Sequence, residues 1–174
     1  MAHTTLRVAI AALLVSCASS PALAAGPTDP QIAHIAYTAG AIDVAAGKQA
    51  LARSHNKDVR SFAAEMVRDH SAVNDKALAL VKKLHVTPEA NPTSAGLSKQ
   101  AAATLRRLSH LHGRSFDRAY AANEVAYHKT VNGALANTLI PSATNGELKS
   151  LLETGLTLFT EHEAHAEHLA ASLK

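Results

Sequence analysis

The chain has no tryptophan, one cysteine and only six aromatic residues among 174. A lone cysteine excludes an intrachain disulfide, so packing must hold the fold without covalent help. The aromatic shortage removes the stacking platforms on which single-stranded nucleic acids bind. The basic excess is small as well: 17 Lys and Arg against 14 Asp and Glu give a formal charge of +3. Lys82-Lys83 and Arg106-Arg107 are short pairs suited to a solvated face, so no nucleic-acid partner is expected. No apolar run approaches the roughly 20 residues that span a bilayer as a helix, so no transmembrane segment is expected. Neither a GxGxxG nor a P-loop pattern occurs, and no Ser or Cys catalytic constellation is legible, so an enzyme is the least supported class.

What is present is alanine, 37 residues of it, within a hydrophobic fraction of 47% that is therefore mostly small and aliphatic. Alanine has the highest intrinsic helix propensity, and this composition suits a helical bundle of one domain. The other excess is histidine. Eleven occur, and histidine both titrates near neutral pH and is the commonest metal ligand.

The first 24 residues read as a secretory signal peptide: Arg7, an apolar run Val8 to Val15, and a small-residue stretch ending Ala22-Leu23-Ala24 before Ala25. Leu14-Val15-Ser16-Cys17 also fits a bacterial lipobox, which would place a lipid anchor on Cys17. The expected location is accordingly the periplasm or the medium, with an outer-membrane lipoprotein as the alternative, and residues 25–174 form the expected domain.

Four long helices and a short one are expected in that domain. Asp29-Pro30 caps and opens the first, to about Arg53, and Asn56 caps the second, to about Leu84. Pro88, Pro92 and Gly96 mark a loop, and a short helix from about Leu97 to Leu111 is stopped by Gly113. Ser115 caps the third long helix, which ends before Ile140-Pro141, and Asn145 caps the fourth. Short turns inside each helix pair, with about 30 residues from His85 to Arg114 between the pairs, give an all-α, ferritin-like four-helix bundle with one long crossover.

Several polar residues interrupt the apolar stripes. At 100° per residue, Asp43 falls inside the first stripe, His70 inside the second, Glu124 and the edge residue His128 on the third, and His162 inside the fourth. Counting 1.5 Å per residue from the turns lets Asp43, His70, Glu124 and His162 share one layer, with His128 one turn from Glu124 and able to converge on the same point. Buried charges must be paired or bound to a metal. The layer is then either a satisfied polar cluster that fixes helix packing, or a metal site of mixed nitrogen and oxygen ligands suited to Zn, Fe, Mn or Cu. His162-Glu163-Ala164-His165 is no zinc-protease helix, because its histidines stand three apart instead of four. His165 and His168 rotate onto a solvated face, His34 and His55 look exposed, and His85, His110 and His112 sit near expected helix C-termini, where positive charge suits the dipole.

Certain pieces carry a resemblance: Ala39-Gly40 through Asp43-Val44 and Gly47, Met66-Val67-Arg68-Asp69-His70, Phe116-Asp117-Arg118-Ala119-Tyr120 with His128, and Leu156-x-x-Phe159-x-x-His162. On these the chain resembles a bacterial family of secreted ferritin-like bundles, domain of unknown function 4142. The resemblance implies export and a ferritin-like bundle, and it carries no established reaction. Asp43 stands where that family more often has Glu, and Glu163 where it has an apolar residue. Di-iron ferritin-like proteins use a Glu-x-x-His on each of two helices, and no histidine after the leader is preceded at three residues by Glu. Two functions remain: an exported bundle binding a transition metal through Asp43, His70, Glu124, His128 and His162, or a non-enzymatic envelope or stress-related protein whose polar layer only sets packing.

Overall fold

The computed structural model describes residues 26–174, so the expected leader with its two candidate processing sites lies outside the described residues. The described chain is all-helical: α1 (Asp29–Arg53), α2 (Lys57–Lys83), α3 (Pro92–Ser109), α4 (Gly113–Ala134), a π-helical turn (Leu135–Leu139), α5 (Ile140–Ser142) and α6 (Gly146–Ser172). None of these helices is long and apolar enough to cross a membrane.

Contacts fix the direction of each helix. In the first hairpin Asn74 lies against Gly40 and Val67 against Gly47, so α1 and α2 are antiparallel. Asn132 reaches the Phe159 carbonyl and Arg118 the Leu173 carbonyl, so α4 and α6 are antiparallel too. Glu65 meets His165 while Lys83 meets Glu147, and Ser54 meets Asp117 while Tyr127 meets Ala39. Each of the four long helices therefore opposes both neighbours, and α2 and α4 run the same way. Only a crossover along the length of the molecule can join them, and α3 travels in it. α3 lies against α1, where Gln49 donates to the Leu105 carbonyl and Arg53 to the carbonyls of Ser109 and Leu111.

The hairpin of α1 and α2 is close because two glycines permit it. A Cβ at Gly47 would stand 2.9 Å from both the Ala63 carbonyl oxygen and Val67 Cγ2, inside van der Waals contact. The helix starts are set by side chains: Asn56 Oδ1 accepts from the backbone N–H of Asp58 and Val59, and Asn145 does the same for Glu147 and Leu148. Each such cap contributes about 1 kcal/mol.

Four local expectations are corrected. Asp29 is not the first cap: Thr28 precedes the helix, and the Asp29 carboxylate instead accepts from the backbone N–H of Thr144 and Asn145 and from the Thr144 hydroxyl, tying the start of α1 to the last loop. α3 starts at Pro92, not near Leu97, because Asn91 caps it and a proline at the first helical position gives up an N–H that has no partner anyway. The third long helix opens at Gly113, whose φ of +52° suits glycine, with His112 as cap residue in place of Ser115. It also runs past the expected stop at Pro141. Proline inside a helix lacks a donor and its ring strikes the carbonyl four residues back. The π turn just before it, in which the Ile140 N–H bonds the Leu135 carbonyl five residues earlier, widens the backbone and lets the helical path reach Ser142.

The core falls into two apolar clusters. One holds Val59, Phe62, Met66, Leu108, Phe116, Tyr120 and Leu169; the other holds Ile32, Ile35, Leu135, Leu139, Leu148, Leu152 and Phe159. Between them lies a polar layer.

Candidate metal centre

All five polar residues singled out in the sequence meet in that layer. Asp43 on α1 is fully buried, and His70 on α2, Glu124 and His128 on α4, and His162 on α6 are each at most 2% exposed. Every long helix supplies at least one of them. Ligand-capable atoms of His70, His128 and His162 lie within 4.8 Å of one another, as do those of Asp43, Glu124 and His128, so His128 belongs to both groups. Stacking steadies the cluster: the Phe159 ring lies over His70 with centroids 4.3 Å apart, and the three imidazoles are 5.3 to 5.7 Å apart by centroid.

Two of the imidazoles have their tautomers set from behind. His128 Nδ1 is 2.9 Å from the Glu124 carbonyl, which can only accept, so the proton sits on Nδ1 and Nε2 keeps a lone pair. His162 Nε2 is 3.2 Å from Asp69 Oδ2. The Arg68 side chain holds the Asp69 carboxyl below its usual range, so Asp69 is an ionised acceptor and His162 Nδ1 keeps the lone pair. Backing of this kind, by a carbonyl on one imidazole and a carboxylate on another, orients the ring and raises the basicity of the free nitrogen in metal sites.

The front of the layer is under-bonded. Both Asp43 oxygens, both His70 nitrogens, Glu124 Oε2, His128 Nε2 and His162 Nδ1 are buried without a hydrogen-bond partner. Some of these atoms are nevertheless close: His70 Nε2 is 2.8 Å and His128 Nε2 3.2 Å from Asp43 Oδ2. The distances report ion-pair proximity, whereas the ring N–H directions miss the oxygen. A buried polar atom left without a partner costs about 1–3 kcal/mol, so seven in one layer are a large concentration of unmet bonding capacity.

The electrostatics follow. Burial pushes the Asp43 carboxyl up, but the adjacent His70 and His128 outweigh it and hold it below the usual carboxylate range. Burial drives the Glu124 carboxyl well above its ordinary value, and the Asp43 charge adds to this. Burial lowers His128 against the opposing pull of Asp43. Burial and then His70 bring His162 down to about 4, with Asp69 opposing. Below its raised pKa Glu124 is protonated beside an ionised Asp43, and at neutral pH His128 and His162 are neutral. A divalent cation would displace the Glu124 proton and leave two carboxylates to balance its charge. Three imidazole nitrogens and two carboxylates form a donor set that fits Zn, Fe, Mn or Cu.

Two participants escaped the sequence reading. Asp69 immediately precedes His70, about 100° around α2, and its role appears only once α6 places His162 beside it. Tyr120 is fully buried with an unpartnered hydroxyl, and burial, then Glu124 and Asp43, raise its pKa well above the ordinary value. The Phe116-x-x-x-Tyr120 spacing, which puts Tyr120 one turn before Glu124, is the signal that could have found it. Outside the layer, His165 pairs with Glu65 at 2.8 Å on the surface, and His34 is half-buried beside Thr38 instead of exposed. His110 does cap the C-terminus of α3, but His112 stands at the N-terminus of α4, where the dipole favours the opposite charge.

A protein-family model, described as a domain of unknown function (DUF4142), matches residues 15–169 of the chain. No curated protein and no solved structure matches it.

Proposed function

The chain belongs to the DUF4142 family, and within it we propose that this protein is an exported, ferritin-like bundle that binds a transition metal in its polar core layer. His70, His128 and His162 are the nitrogen ligands, and Asp43 and Glu124 the oxygen ligands. The observation that carries this reading is the set of unpartnered, buried lone-pair atoms on four helices at one depth, with His128 and His162 held from behind in metal-ready tautomers. A layer serving only to fix packing would align its imidazole N–H groups on Asp43. Here His70 Nδ1 and His162 Nδ1 are buried with no partner at all, beside a His70–Asp43 pair only 2.8 Å apart. The ferritin-like assignment rests on the crossover that joins two antiparallel hairpins, and export rests on the leader sequence.

The test is metal content and binding by tag-free protein. Stoichiometric Zn or Fe, with a rise in melting temperature on adding either ion to metal-free protein, is expected. His70→Gln and His162→Gln should abolish both while the far-ultraviolet helical signal survives. Absence of metal together with no thermal shift overturns the proposal and leaves the packing role.

A further inference from the structure

The end of the bundle beyond the polar layer is hollow. A cavity of about 590 Å³ runs between α1, α2, α3, α4 and α6. Its origin lies in residue size. Ala36 on α1, Ala77 on α2 and Ala134 on α4 line it with nothing larger than a methyl, and Gly40 and Gly155 line it where Asn74 and the Phe159 ring pack on them. It extends along α6 from Leu148 to Phe159, roughly 17 Å at 1.5 Å per residue, so it is longer than it is wide. Its floor is Phe159, whose other face covers His70, together with the Asn74 amide packed on Gly40.

None of the lining residues is Asp, Glu, Lys, Arg or His. A charged headgroup would therefore enter without a counter-charge, at heavy desolvation cost. Of the polar groups in the wall, Asn91 is engaged, its Oδ1 capping α3 and its Nδ2 donating to the Gln31 and Glu89 carbonyls, the Thr130 hydroxyl donates to the Ala126 carbonyl, and the hydroxyls of Thr93 and Thr138 lie on exposed residues at the rim. A volume within the range of small-molecule sites, apolar walls and a single uncommitted amide at the floor define the ligand by exclusion. We propose that this cavity binds an uncharged, elongated apolar molecule of the long-chain or isoprenoid alcohol class, with the Asn74 amide as its polar contact at the floor. The site is separate from the metal layer and does not depend on metal binding.

The test uses the neutral fluorophore N-phenyl-1-naphthylamine with the full folded domain, in the presence and absence of a chelator. Saturable binding of one probe per chain is expected, with displacement by hexadecanol at least about tenfold more effective than by hexadecanoate at pH 8. Ala77→Phe and Ala134→Phe fill the cavity from opposite walls. Each should weaken the probe by about tenfold or more while the melting temperature stays at or above that of the parent. The proposal is overturned if the parent shows no saturable binding, if both filled variants bind like the parent, or if the carboxylate competes as well as the alcohol.

Discussion

Replacing Glu124 by Gln should make the metal-free protein more stable, by an amount that grows with pH. Glu124 is 1% exposed, and burial followed by the Asp43 charge raises its carboxyl well above its ordinary value of 4.5. In the unfolded chain the same carboxyl ionises normally. Between 4.5 and its folded pKa the native state thus binds one proton more than the unfolded state, and stability falls as pH rises. One proton corresponds to about 1.4 kcal/mol per pH unit. Glutamine keeps the shape and the neutral state but carries no such linkage, while the contributions of His128 and His162 are common to both proteins and cancel in the difference. Urea unfolding of chelator-treated parent and Glu124→Gln at pH 5, 6 and 7 should show a gap that widens in favour of the variant, by up to about 1.4 kcal/mol per unit for as long as the pH stays below the folded pKa. With zinc at 100 times its dissociation constant, the parent gains about 2.7 kcal/mol and the variant less, so the gap narrows or reverses. A gap independent of pH would refute the assignment of a neutral, buried Glu124 next to an ionised Asp43.

His162 works in the opposite sense: its folded pKa of about 4 lies below the ordinary imidazole value of 6.5, so acidification protonates the unfolded chain first. Metal-free parent should therefore lose up to ~3 kcal/mol relative to His162→Gln as pH falls from 6.5 to 4, read from the same urea curves. At the end of α2, His85 sits at φ +52° in the left-handed region, with the Val86 N–H bonded to the Val81 carbonyl in a Schellman-type cap. His85→Gly should raise stability by about 0.5–1 kcal/mol, and an unchanged or lower denaturation midpoint would count against this cap geometry. Gly47→Ala should lower stability by about 1–3 kcal/mol despite alanine's better helix propensity, because the new Cβ has backbone on one side and Val67 on the other. Thermal melts that show a gain would mean the α1–α2 spacing is looser than described.

The parts of this fold that the sequence disclosed are those written in local periodicity. Asn56 and Asn145 announce helix starts because an amide oxygen two or three residues upstream of orphan N–H groups has one favourable use. Asp43, His70, Glu124, His128 and His162 stood out because polar atoms on an apolar stripe need partners, and counting residues from the turns gave their common depth. The failures come from residues with two possible uses. Pro92 and Pro141 read as loop and stop, yet one opens α3 and the other is absorbed by the π turn. Asp29 read as a cap, yet its carboxylate serves a loop 115 residues away. Asp69 lies off the apolar stripe, so only the packing of α6 against α2 shows that it sits behind His162. The cavity was equally invisible, since alanine at Ala36, Ala77 and Ala134 reads the same whether helices touch there or leave space.

The most direct measurement is the position of a bound ion. Crystals of tag-free, metal-free protein soaked in zinc and measured at the zinc absorption edge should show one anomalous peak in the bundle interior, bounded by His70, His128 and His162 with Asp43 or Glu124 completing the shell. A crystal with no interior peak, or with zinc only at the surface pair Glu65 and His165, would contradict the account and make the polar layer a packing device.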